Sequence, residues 1–282
     1  MKCLRRLCRF GVRRPVAAFA HGGLTPPLPA IKPWSRQVAT TRALTGQRTP
    51  KLKRNLIIAI DGPSGAGKST LGRMLARALN LLYIDTGSMY RAVALAVLES
   101  SISATDDVAV GSLAGRVDID LQGDPDSLRV TLGGVDVTDQ IRSEEVTDLS
   151  SIISTIPEVR RAMVVRQREM GRRGAVLNGR DIGTVVFPDA DVKFFLTALP
   201  QARAERRFNE DRAQDQNVDF EETLADMTER DRRDSTRADS PLKSADDAIV
   251  VDSTGLSIDE VFEKMREEVK ERTGHRDAET QR

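Results

Sequence analysis

The sequence predicts an α/β protein in three layers: a five-stranded parallel sheet with helices on both faces. Three observations predict it. Short, continuous apolar runs recur along the chain, which is how strands buried on both faces read. Segments with helical period alternate with them, which implies parallel strands joined by helical crossovers. Between the first run and the first helical segment lies a glycine-rich turn, IDGPSGAGKST, of a kind that cradles phosphate.

The elements follow in order. Leu56–Ile60 (LIIAI) is the first strand. After the glycine turn, Leu71, Met74, Leu75, Ala78 and Leu79 recur at i, i+3, i+4, i+7 and i+8, one apolar stripe on a helix. Leu81–Ile84, Ala175–Leu177, Val192–Leu196 (VKFFL) and Ala248–Val251 (AIVV) are the other four strands, and Arg91 is expected to start the helix that follows Asp85, Thr86 and Gly87. About 90 residues separate the second strand from the third. A crossover needs a dozen or so, so the excess, about 105–172, is expected to fold as an inserted α+β unit. Within it Val117–Leu121 and Leu128–Leu132 alternate apolar and polar around Gln122–Ser127, a hairpin signal. Amphipathic helices follow at about 143–154 and 157–170, with Pro157 in a favoured first-turn position. The charge-rich segment about 199–238 reads as two helices joined by the polar turn Asp215–Asp219. Ser257 and Glu260 form a capping box that opens the last helix, which holds Val261, Phe262 and Met265.

Composition narrows the function. The chain has 282 residues, 39% hydrophobic and 30% charged, as in an ordinary soluble globular protein. No apolar run approaches the roughly 20 residues that cross a bilayer. Net charge is +1, yet residues 1–54 hold 13 Lys and Arg and no acid, so the remainder carries a net charge of −12. A body that acidic has no general attraction for nucleic acid or an anionic membrane. The first 54 residues, with prolines at 26, 27 and 29 and no sustained period, are expected to stay outside the core as a disordered basic leader or the product of a mis-assigned start. An organelle transit peptide, which is also Arg-rich and acid-poor, and a functional basic arm are the alternatives. Both cysteines, Cys3 and Cys8, lie in this leader, and the two histidines, His21 and His275, lie near the ends. The body therefore lacks the residues for a disulfide, a thiolate or His zinc site, or a His-based triad.

The glycine turn carries the chemistry. Gly62, Gly67, Lys68 and Ser69 meet the pattern G-x-x-x-x-G-K-[ST], after a strand and opening a helix. Glycines let backbone N–H groups converge on phosphate oxygens, and the helix N-terminus adds a favourable dipole. Gly62, Pro63, Ser64, Gly65, Ala66, Gly67, Lys68, Ser69 and Thr70 are thus expected to wrap a nucleoside triphosphate. Lys68 would reach the β- and γ-phosphates, and the Ser69 hydroxyl would ligate Mg²⁺. A GTPase should carry N-K-x-D, which is absent, and the D-x-x-G at Asp252–Gly255 is too near the C-terminus to serve as a switch. A small-molecule kinase instead needs arginines on segments that close over an anionic acceptor and exclude water. Arg91, Arg142, Arg160, Arg180, Arg206, Arg207, Arg230, Arg233 and Arg237 lie near strand ends or in the two long insertions.

IDGPSGAGKST, DTGSMYRAVAL, GRDIGTVVFPDA and ERDRRDSTR, in that order, resemble the bacterial-type cytidylate kinases over about residues 56–272. The insertion IRSEEVTDLSSIISTIPEVR looks like that family's enlarged nucleoside-monophosphate-binding unit, which separates it from shorter adenylate- and shikimate-type kinases. The resemblance implies a P-loop kinase domain over 55–282 with a mobile charged lid at about 203–238, transferring the γ-phosphoryl group of ATP to CMP or dCMP with Mg²⁺. By position it implies Thr86 near sugar and base, Arg91, Arg160 and Arg180 on the acceptor phosphate, and Asp181 reading the nucleoside. It also implies Arg230, Asp234 and Arg237 on the sugar and the transferring phosphates. Asn178 departs from the family pattern, which usually carries a carboxylate there; this puts a contact to metal-bound water in doubt. The resemblance further implies a monomer working in the cytoplasm, or in an organelle stroma or matrix should the leader be a transit peptide. Two other readings stay open: a P-loop kinase for a different small acceptor, and a nucleic-acid-binding factor that uses the loop as a switch.

Overall fold

The computed structural model describes residues 55–213 and 218–279, residues 275–279 by backbone alone. The leader, the His275 side chain and residues 214–217 of the expected polar turn lie outside the described residues.

Five strands form the main sheet: β1 (Ile57–Asp61), β2 (Leu82–Asp85), β6 (Ala175–Gly179), β7 (Val192–Thr197) and β8 (Ile249–Asp252). Their spatial order is β2-β6-β1-β7-β8, and every pairing is parallel. The sequence places all five within a residue or two, except that β6 runs on through Asn178 and Gly179 because both pair with β1.

Alternate strand residues feed two apolar layers. Ile58, Ile60, Val176, Phe194 and Leu196 pack with Leu71 and Leu75 of α1 (Lys68–Leu79) and with Val261 and Met265 of α8 (Ile258–Glu279). Ala59, Ile84, Ala175 and Leu177 face the other way, onto Met89, Ala92 and Val93 of α2 (Thr86–Glu99). Each fully buried Leu, Ile or Phe contributes about 1.5–3 kcal/mol, so the two layers fix the strand ends firmly. α2 begins at Thr86, with Arg91 in its second turn rather than its first, because the Asp85 carboxylate caps the Gly87 N–H.

Between β2 and β6 the chain makes α3 (Asp107–Arg116), an antiparallel three-stranded sheet of β3 (Ile119–Gln122), β4 (Arg129–Leu132) and β5 (Val135–Asp136), then α4 (Glu144–Ile153) and α5 (Pro157–Gly171). The expected hairpin is there; α3 and the two-residue β5 are additions to it. Val108 and Val135 are exposed, so neither element shows a clean apolar stripe in the sequence. The charged segment forms α6 (Pro200–Ala213) and α7 (Phe220–Thr236).

Register decides what meets at the C-terminal rim of the sheet. Asp61 lies beside Gly179, and Asp85 beside Asn178. The rim therefore joins the end of the phosphate-loop strand to the ends of β2 and β6, where open α/β sheets place their ligands.

Candidate active site

The loop from Gly62 to Gly67 links β1 to α1. Two of its glycines are required by geometry. Gly62 has φ 145°, and a Cβ there would sit 2.0 Å from the Leu196 carbonyl oxygen. Gly67 caps α1 at φ 90°, in the left-handed region that glycine occupies without penalty. No side chain caps the start of α1, so the amides of its first turn remain open to an anion. Lys68 is buried and donates from Nζ to the Pro63 carbonyl at 2.6 Å, which folds it back over the loop. Burial pushes its ammonium well below the ordinary lysine range, and the neighbouring Arg180 and Arg230 push it further.

Three cations from three elements thus crowd one spot. Arg180 follows β6, and its Nε donates to Asp234 of α7 at 2.7 Å. Arg230, one turn earlier on α7, is pushed down to about 10 by burial and then by Arg180. Burial alone would raise the Asp234 carboxyl, but Arg180, Arg237 and Arg230 outweigh it and hold the group below the usual carboxylate range. Positive charge is in excess, as at a site that receives phosphates.

A second group forms beside the first. Arg160, in the first turn of α5 and 2% exposed, donates from Nη2 to Asp181 at 2.5 Å and from Nη1 to the Ser154 carbonyl at 3.2 Å. Its guanidinium lies over the Tyr90 ring, 5.7 Å from the centroid, so Tyr90 packs against a site cation. Arg237 closes the group, donating to Asp234 at 3.3 Å and standing 3.9 Å from Asp181. Arg160 Nε and Arg237 Nη2 are buried with no hydrogen-bond partner among the described residues. Buried polar groups are ordinarily satisfied, so this spare capacity suits a polar ligand.

Arg91 pairs with Asp85 at 3.3 Å, and its charge also acts on Arg230 of the first group. Thr86 is buried and donates to the Asn178 carbonyl at 2.7 Å, leaving its oxygen free to accept. Ser69 and Thr70 are exposed at the start of α1. Asn178 Nδ2 donates to Ser69 Oγ at 3.2 Å and also to the Tyr83 hydroxyl. Ser69, Tyr83 and Asp85 line one cleft. Its oxygen donors suit a hard cation such as Mg²⁺. Among the described residues no three His, Cys, Asp or Glu side chains gather into a metal cage, and Mg²⁺ bound by one or two protein oxygens and substrate phosphates needs none.

Sequence reasoning missed Asp231 and left Asp61 open between a plain strand end and a role near the phosphate loop. Asp231 of α7 accepts the Ser64 N–H at 3.3 Å and pairs with Arg203 of α6 at 2.5 Å, which lays α7 against the phosphate loop. Its inward place was legible, four residues after Met227 and three before Asp234, the buried residues of α7. Asp61 is buried, and its carboxylate is bonded across the rim.

Comparisons with known proteins show the family. A family model described as cytidylate kinase matches residues 58–271. A protein named cytidylate kinase from Geobacter sp. (strain M21) is 47% identical over 226 residues, covering 80% of this chain and 97% of the relative. One of the same name from Geobacter sulfurreducens is 49% identical over 221 residues, 78% of this chain and 95% of the relative. Another from Desulforamulus reducens is 52% identical over 206 residues, 72% of this chain and 92% of the relative. With a phosphate loop facing a cluster of guanidinium groups, and with similarity that spans nearly the whole length of these relatives, the chain belongs to the cytidylate kinase family.

Proposed function

We propose that the two side-chain groups divide the work of moving the γ-phosphoryl group of ATP onto CMP or dCMP. The carrying observation is the convergence of Lys68, Arg180 and Arg230 on one spot at the phosphate loop, with Asp234 paired to Arg180 at 2.7 Å. A phosphate oxygen of the acceptor attacks the γ-phosphorus; the bond to the β,γ-bridging oxygen breaks, and ADP leaves. The acceptor is already an anion and needs no strong base, so alignment and charge neutralisation supply the catalysis.

Residues 62–70 hold the triphosphate, with Lys68 at its β- and γ-phosphates. Arg180 spends Nε on Asp234 and Nη1 on the Gly179 carbonyl, so Nη2 points onward for the acceptor phosphate or the group in flight. Arg230 and Arg237 add charge from α7, Asp234 holds them in place, and Arg91 meets the acceptor phosphate from α2. Asp181 and Thr86 read the nucleoside, and Arg160, held against Asp181, keeps an unpartnered Nε for the acceptor phosphate. Ser69 would hold Mg²⁺ together with the phosphates, and the ion would supply charge neutralisation there.

We place the kinase domain at 55–282, the nucleoside-monophosphate-binding insertion at about 105–172 and the mobile lid at about 203–238. Among the described residues no helix is long and apolar enough to cross a membrane. A cytoplasmic monomer is the working form we infer, supported by the bacterial source of the relatives. The deciding experiment is ADP release with MgATP across CMP, dCMP, UMP, AMP and GMP. Turnover should be fastest with CMP or dCMP; a purine or no acceptor in first place would overturn the assignment.

A further inference from the structure

We propose that Asp61 is a positioning residue for the phosphoryl acceptor: its carboxylate ties the end of the phosphate-loop strand to the turn that presents Arg180 and Asp181. Oδ1 accepts the Ile182 N–H at 2.8 Å, and Oδ2 accepts the Gly183 N–H at 2.7 Å. These amides lie 121 and 122 residues along the chain from Asp61. They are the first of the short π-helical turn Ile182–Val186. Helix-type turns leave their leading N–H groups without partners of their own, and the cap residue Asp181 makes no side-chain cap bond to them. Asp61 supplies both partners from another strand.

The placement is specific to the site. Asp61 is the last residue of β1, followed at once by Gly62, and it lies beside Gly179 in the sheet. Arg180 and Asp181 fill the span between that pairing and the clamped amides. With Gly179 held by the sheet and Ile182 held by Asp61, the two intervening residues are fixed at both ends. A shift of the phosphate loop thus carries the acceptor-side groups with it, which keeps donor and acceptor in line; misplacement by about 1 Å costs on the order of a hundredfold in rate.

The carboxylate is also held at a cost. Asp61 is 4% exposed, and burial raises its acid group to about 6 even though the two N–H groups favour the charge. The charge of Asp181 raises it further and that of Lys68 lowers it. The carboxylate offers one oxygen to each of the two N–H groups, which no neutral side chain of its size matches.

The inference rests on Arg180 and Asp181 serving the acceptor, so Arg180→Ala is assayed in parallel: CMP kinetics equal to the parent's in that variant would sink the acceptor reading itself. In Asp61→Asn the amide nitrogen faces one of the two N–H donors and repels it. The KM for CMP should then rise about tenfold with a lower kcat, the KM for ATP should stay within about twofold, and the thermal midpoint at pH 8 should stay near the parent's. Asp61→Glu keeps the charge but moves both oxygens by one methylene, and should show the same CMP-selective defect. Unchanged CMP kinetics in both variants would overturn the proposal. So would equal damage to both substrates with a lower midpoint, or failure of both variants to fold, because each marks a residue that serves stability alone.

Discussion

The two sides of the site are built by opposite means. The phosphate loop is nine consecutive residues whose binding groups are mostly backbone, held open by glycine and fixed by the strand before and the helix after. The side we assign to the acceptor gathers Thr86, Arg91, Arg160, Arg180, Asp181 and Arg237 from positions 86 to 237, and holds the charged ones with side-chain ion pairs at 2.5 to 3.9 Å. In the loop a single lysine carries the charge, and its removal leaves the backbone cradle standing. On the acceptor side each guanidinium also holds a carboxylate, so removal of one partner strands another charge in a buried place, which is costly. On our proposed assignment the loop is robust but specific only for phosphate, and the ion-paired side is fragile and holds the selectivity.

Two substitutions test that division. Lys68→Ala should produce the largest loss, on the order of 10³-fold in kcat, because the interaction it removes is strongest in the transition state. The fold should persist, as judged by circular dichroism, since Lys68 bonds only the Pro63 carbonyl. A kcat within tenfold of the parent would place the γ-phosphate charge elsewhere. Arg180→Ala should lower kcat/KM for CMP by about 10²-fold and leave the KM for ATP within about threefold, with a loss of stability from the stranded Asp234. An equal effect on both substrates would break the division, because Arg180 would then belong to the loop side.

The same contrast explains how much of the molecule could be read before its structure. The strands and the loop announce themselves in local pattern: LIIAI and VKFFL are apolar throughout, and Gly62, Gly67, Lys68 and Ser69 sit at fixed spacing. The acceptor residues have no such spacing. Arg160 is one of seven arginines from 160 to 180, and nothing in its surroundings marks it for burial against Asp181 and over Tyr90; only the resemblance gave it a role. Asp61 reads as an ordinary strand end, because its partners lie more than a hundred residues away and are backbone amides. The short β5 and the helix α3 stayed hidden for a different reason: their apolar residues are few, and several face solvent.

The smallest effect we expect sharpens the boundary between the two sides, where Asn178 meets Ser69. Asn178 is 4% exposed, and its amide nitrogen donates both to Ser69 Oγ and to the Tyr83 hydroxyl. A donor aimed at Ser69 Oγ competes for the lone pair that a cation needs. An aspartate of the same shape would instead accept the Ser69 hydroxyl proton, release that lone pair and add a negative charge beside the cleft. It would also carry a burial cost, which limits the gain. Asn178→Asp should therefore tighten Mg²⁺ by about three- to tenfold, on the order of 1 kcal/mol for one charge-assisted hydrogen bond. Calorimetric titration of Mg²⁺ into the ADP complex reads this without turnover. The variant should also gain more thermal stability than the parent at a given MgADP concentration, since tighter binding to the folded state raises its midpoint. Identical Mg²⁺ titrations for the two proteins would show that Ser69 is held by the turn of α1 alone and that the Asn178 amide is a bystander.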